Sequence, residues 1–175
     1  MEELGKIHQL IIPFGEWILN EACTQLKNWH QEGKDRISMA VNLSAKQFTD
    51  PDFFPMVQRI VSKSGIDPQF LQLELTESLL LGDIENKIII LQNLKDLGLK
   101  ISVDDFGTGY SSLSYLSKLP VDELKIDKSF TSDLPGRADN RAIVSTIIYL
   151  ARNLGLLTVA EGIEKTEQLN NHPVH

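Results

Sequence analysis

No cysteine in this 175-residue chain has a partner: Cys23 stands alone. That excludes an internal disulfide framework and fits a reducing compartment. Cys23 reads as a small apolar residue on a buried helix face. Long hydrophobic runs are also missing. The longest uninterrupted aliphatic block is Ile88 to Leu91, beside Lys87 and Gln92, far short of the ~18–20 apolar residues of a membrane span. The opening residues, MEELGKIHQL, are acidic, unlike the basic start of a signal peptide. A cytoplasmic setting is expected, with any membrane tether left to a longer parent protein. Positive charge is in the minority: 24 acidic against 17 basic residues give a net −7. This excludes a general basic surface for duplex nucleic acid. It leaves open an anionic ligand reached through bound cations. Low-complexity segments, long linkers and internal repeats are absent, and Pro135-Gly136 is only a local loop.

What is present is the composition of one globular core, 42% hydrophobic and 23% charged, in a chain too short for two ordinary domains. Two periodicities alternate along it. Leu19, Ala22, Cys23, Leu26 and Trp29 lie at helical spacing, as do Ile84, Ile88, Leu91, Leu94 and Leu97, closed by Gly98. A third stripe joins Ile143, Ile147, Leu150 and Leu154, with Asp139 as its expected N-cap and Gly155 past its end. A weaker helix runs from about Phe53 to Lys63, started by Asp50-Pro51. Between these lie five strand-like runs: Ile37 to Leu43, Leu71 to Leu75, Lys100 to Val103, Glu123 to Ile126 and Leu157 to Ala160. Strand and helix in turn spell a parallel α/β sheet.

Each run ends near a polar side chain: Asn42, Glu74, the pair Asp104-Asp105, Lys125 with Asp127, and Glu161. An unpaired carboxylate on an apolar strand is expensive to bury, and five in register point to one shared rim. In a (β/α) barrel the strand ends converge on the face where catalytic groups collect. Strand alternation puts Ser102 and Asp104 on one face of their strand and Val103 and Asp105 on the other. Inward carboxylates only ~4 Å apart repel by about 1–4 kcal/mol, which divalent cations would relieve. Hard oxygen donors favour Mg²⁺ or Mn²⁺ over zinc. Two ions suit in-line attack on a phosphodiester, and a lysine among them can orient or deprotonate the water. The alternative is a set of structural ion pairs around the rim, with Lys125 no more than a counter-charge, Asn42 a turn cap and Glu164 a helix-start charge.

VNLSAKQF (Val41 to Phe48), LELTES (Leu73 to Ser78), DDFGTGYSSLSYL (Asp104 to Leu116), LPVDELKIDKSF (Leu119 to Phe130) and VAEGIE (Val159 to Glu164) appear in that order. Together they resemble the EAL family of cyclic di-GMP phosphodiesterases. The resemblance implies a TIM-like (β/α) barrel, here incomplete with about five consecutive β/α units. It implies that Asn42, Glu74 and Asp104 hold one metal, and that Asp104 bridges to a second held by Asp105. Lys125 would position the attacking water and Glu161 would join the metal shell. Glu77 would steady the loop after Asp105, with Gly107, Thr108 and Gly109 in that loop, which in the family also leads to a homodimer contact. Asp127 and Glu164 would be supporting residues. The implied reaction opens one phosphodiester of cyclic di-GMP to the linear dinucleotide pGpG. DFG also occurs in protein kinases, but no glycine-rich phosphate loop, V-A-I-K strand or H-R-D loop accompanies it.

The sequence departs from the family at both ends. No Glu-Ala-Leu motif is found, and the chain stops at NNHPVH, where the final-strand segment would follow. A complete (β/α)₈ domain takes about 250 residues. The expectation is therefore weak metal binding and poor or no hydrolysis by this chain, or a module that binds cyclic di-GMP or a protein partner without cleaving it. His8, His30, His172 and His175 lie away from the strand ends and read as incidental.

Overall fold

A computed structural model describes residues 2–109, 116–134 and 136–169. The 110–115 part of the DDFGTGYSSLSYL motif, Pro135, His172 and His175 lie outside the described residues. The helices are α1 (Glu2–Gln31), α2 (Ala45–Phe48), α3 (Phe53–Ser64), α4 (Ile84–Asp96), α5 (Lys128–Thr131), α6 (Ala138–Asn153) and α7 (Thr166–Leu169). The strands are β1 (Met39–Leu43), β2 (Leu71–Thr76), β3 (Lys100–Phe106), β4 (Glu123–Ile126) and β5 (Leu157–Ala160). All five expected strands and the three expected stripes are present. Two helix starts differ. Asp52, not Asp50, caps α3 and makes no side-chain cap bond. Arg137 occupies the cap of α6, leaving Asp139 inside its first turn, where a carboxylate still favours the helix dipole.

The sheet is parallel throughout, in the order β1-β2-β3-β4-β5. Every crossover leads to the next strand, so the sheet curls one way as in a TIM-like barrel. Among the described residues β1 and β5 do not pair, so the barrel is not closed. One face carries Val41, Leu43, Leu71, Leu73, Leu75, Ile101, Val103, Leu124 and Ile126, all buried with the helix stripes Leu19–Leu26, Val57–Val61, Leu91–Leu94 and Val144–Ala151. Cys23 belongs to this layer, and burial pushes its thiol up to about 11, against a hydrogen bond from Ser64. It is inert packing.

The other face, the barrel interior, is polar. In register it carries Asn42, Gln72, Glu74, Ser102, Glu123 and Lys125. Gln72 Nε2 donates to Glu123 Oε1 at 2.8 Å. The Ser102 hydroxyl is fully buried with no hydrogen-bond partner among the described residues. Leu157 and Val159, paired with Glu123 and Lys125, share this face, and Leu157 stays 67% exposed.

Candidate active site at the carboxyl ends of the strands

Lys125 is the hub of the rim. Its Nζ lies 3.1 Å from Glu74 Oε2, 3.1 Å from Asp104 Oδ1 and 2.8 Å from Glu161 Oε1. One ammonium from β4 thus gathers carboxylates from β2, β3 and the end of β5. Burial pulls its pKa down, but the hydrogen bonds to Glu161, Asp104 and Glu74 and the charge of Glu74 outweigh that, leaving it above the ordinary lysine value. Lys125 is therefore a cation at any physiological pH.

Asp104 follows the expected alternation, in unbroken register with Thr76 on β2, but Asp105 does not. The β3–β4 register slips: Val103 pairs with Leu124, but Phe106 pairs with Ile126. Three steps on β3 match two on β4, which is a β-bulge. Asp105 takes a positive φ of 54°, a conformation that Asp tolerates better than most residues. The extra residue re-aims the chain. Carboxylate oxygens of Asp104, Asp105 and Glu161 consequently lie within 4.8 Å of one another. The Asp105 N–H donates to Asp104 Oδ1 at 3.0 Å. Desolvation and the negative charges of Asp104, Asp127 and Glu161 push the Asp105 carboxyl above its usual range. Such a group favours gaining a proton or a cation.

The bulge is held from below by Glu77, at the head of the short 3₁₀ turn Glu77–Leu80 after β2. Glu77 is 3% exposed, and its Oε2 accepts from the Gly107 N–H at 2.8 Å and the Gly109 N–H at 3.2 Å. Gly107, at φ +101°, leaves no room for a β-carbon, which would stand 2.9 Å from Phe130. The Thr108 hydroxyl donates to the Asp105 carbonyl at 2.8 Å, closing the turn. Glu77→Ala leaves two inward N–H groups without this acceptor and is expected to cost about 2–3 kcal/mol. Glu77→Gln, which keeps one acceptor oxygen, should cost less. Urea midpoints of the two variants test this order.

Asn42 pairs in register with Glu74 but is exposed on the β1 edge. It lines two clefts against α1, of about 300 and 550 Å³. A separate cavity of about 500 Å³ between α1 and α3 carries Glu16, Asp50, Phe53 and Arg59 and none of the rim residues.

The sequence profile of the EAL domain matches residues 3–171. The chain belongs to the EAL family. Two relatives, both from Pseudomonas aeruginosa, are the bifunctional diguanylate cyclase/cyclic di-GMP phosphodiesterase MucR and the cyclic di-GMP phosphodiesterase NbdA. MucR is 45% identical over 159 residues, 91% of this chain and 23% of MucR. NbdA is 39% identical over 166 residues, 95% of this chain and 21% of NbdA. The chain thus spans about a fifth of these curated relatives. The solved PaMucR phosphodiesterase, in complex with c-di-GMP, superposes with a TM-score of 0.90 at 43% identity, over 98% of this chain and 69% of that one. Among the described residues, no helix is long and apolar enough to cross a membrane.

Within this EAL fold the remaining expected residues separate. Asp127 caps α5, its Oδ1 accepting from the Ser129 N–H at 2.9 Å. It also shares a hydrogen bond with Asp105, and the Ser129 contacts hold its carboxyl below the usual range against desolvation. Glu164 is exposed, and among the described residues only its backbone is engaged. The sequence did not flag Gln168 on α7, 3% exposed, whose amide binds the loop backbone at Glu164 and Lys165. The donor set fits divalent cations: hard carboxylate oxygens, crowded until one of them resists ionisation.

Proposed function

We propose that this chain carries the metal-binding rim of a cytoplasmic cyclic di-GMP phosphodiesterase, which hydrolyses one phosphodiester to pGpG. The observation that carries the reading is the meeting of Asp104, Asp105 and Glu161 oxygens beside the Lys125 ammonium. Asn42, Glu74 and Asp104 would hold one Mg²⁺ or Mn²⁺, and Asp104 with Asp105 a second, with Glu161 alongside. Bound there, the ions supply Lewis-acid polarisation of a phosphodiester oxygen and lower the pKa of a bound water. Lys125, placed among these carboxylates, would position the attacking water. Glu77 and the Gly107–Gly109 turn fix Asp105 in its uncommon conformation. The rim is anionic until cations bind, so the doubly anionic substrate is expected to bind only with metal present. Among the described residues β1 pairs on one side only, so Asn42 is the least firmly placed of the candidate donors, and slow turnover is expected.

The test is incubation of the chain with cyclic di-GMP and Mn²⁺ or Mg²⁺, with products followed by chromatography. Slow, metal-dependent appearance of pGpG, removed by EDTA, is expected. Nucleotide binding without cleavage would shift the reading to a non-hydrolytic EAL module. Binding of neither ion nor nucleotide would end it.

A further inference from the structure

We infer that Gln168 is a positioning residue that fixes Glu161 against the rim; this rests on the reading of Glu161 as part of the metal site. Glu161 lies just past β5, on a loop that runs to α7. Its N–H donates to the Ile126 carbonyl at 3.1 Å, and its own carbonyl accepts from the hydroxyl of the fully buried Thr131. The backbone of Glu161 is thereby held between β4 and α5.

Gln168 keeps that arrangement closed. Its Oε1 accepts from the Glu164 N–H at 2.8 Å and the Lys165 N–H at 2.7 Å, which pins the far end of the loop. Its Nε2 donates to the Thr131 carbonyl at 3.0 Å and lies 3.4 Å from Ser132 O and 3.5 Å from Gly162 O. Both ends of one buried amide therefore join the Glu161 loop to the back of α5. Gly162, at φ +68°, lets the loop lie directly on that helix, where a β-carbon would meet Lys128 Cβ at 2.9 Å. If packing alone were required, an apolar side chain of the same length would serve. A buried glutamine is costly unless its amide is used, and here Oε1 grips the loop that follows Glu161 while Nε2 grips the end of α5, whose Thr131 binds the Glu161 carbonyl.

Gln168→Met keeps the length and removes the hydrogen bonds. Leu26→Ala, a truncation in the α1 core far from the rim, serves as the control for global destabilisation. Two quantities are read on each chain: the Mn²⁺ dissociation constant, from the resonance of free Mn²⁺, and hydrogen exchange at the 161–165 amides without metal. For Gln168→Met, a rise of about ten- to hundredfold in the dissociation constant is expected, with faster exchange at Glu164 and Lys165. Leu26→Ala should bind Mn²⁺ as the unsubstituted chain does. An unchanged dissociation constant in Gln168→Met, or an equal loss in Leu26→Ala, overturns the proposal. If the unsubstituted chain binds no Mn²⁺, the metal-site reading fails separately. Exchange then decides Gln168: protection lost at 161–165 in Gln168→Met supports its hold on Glu161, and protection retained overturns it.

Discussion

Lys125→Met is expected to destabilise the metal-free protein by about 3–5 kcal/mol at neutral pH, the cost of leaving buried charges without their partner. Glu74, Asp104 and Glu161 all rely on this one ammonium, whose side chain is 14% exposed and whose Glu74 partner is 9% exposed. Two further outcomes separate this from ordinary core damage. Lowering the pH protonates the carboxylates in the variant, so the gap from the unsubstituted chain should narrow in acid. Adding Mn²⁺ supplies positive charge to the same oxygens, so the variant should gain more stability from the metal than the unsubstituted chain does. In the unsubstituted chain the folded pKa of Lys125 lies above its unfolded value of about 10.4. On the lysine side its contribution is therefore complete below that pH and is lost as alkali titrates the folded lysine; on the acid side it fades as the partner carboxylates protonate. Urea titrations at acid and neutral pH, with and without Mn²⁺, measure all of this.

Asp104→Asn should separate function from stability in the opposite sense. The amide is isosteric and its oxygen can still accept from the Asp105 N–H. One contact to Lys125 weakens, while crowding among the carboxylates of Asp105 and Glu161 is relieved. The two changes oppose each other, so the unfolding free energy should move by no more than about 1 kcal/mol, within the range of mild substitutions. Metal-dependent hydrolysis should nonetheless fall by at least about a hundredfold, since even residues that merely orient metal ligands cost ten- to hundredfold. Product chromatography beside a thermal melt checks both halves.

The sheet was legible because each strand announces itself twice, by a short apolar run and by a polar residue where the run ends. Glu123–Ile126 and Leu157–Ala160 fall where their apolar runs place them. The barrel's polar interior was half legible. Glu74 and Lys125 are flagged by position, whereas the Gln72–Glu123 bond joins β2 to β4 across β3, between residues 51 apart in sequence. Alternation held through Asp104 and failed at Asp105. An inserted residue shifts every later side chain, and nothing in Val-Asp-Asp-Phe marks the slip that the β3–β4 register reveals. Glu77 could be tied to the glycine turn only through the family motif, because its partners lie about 30 residues away. Gln168 left a faint local signal, a glutamine four residues after Glu164 on the short helix that follows the loop. The pattern is common, and its meaning comes from Thr131, on a different element. Helix starts were misplaced at Asp139 because a carboxylate in the first turn and one at the cap look alike in sequence.

The most direct measurement is a crystal structure of the chain soaked in Mn²⁺, with data collected across the manganese absorption edge. Anomalous density is expected among the carboxylates of Asp104, Asp105 and Glu161, with Lys125 displaced from at least one of them. Anomalous density only elsewhere on the protein, with Glu74, Asp104 and Glu161 still bound to Lys125 at saturating Mn²⁺, would contradict a metal-assisted phosphodiesterase and leave the rim a structural ion-pair network.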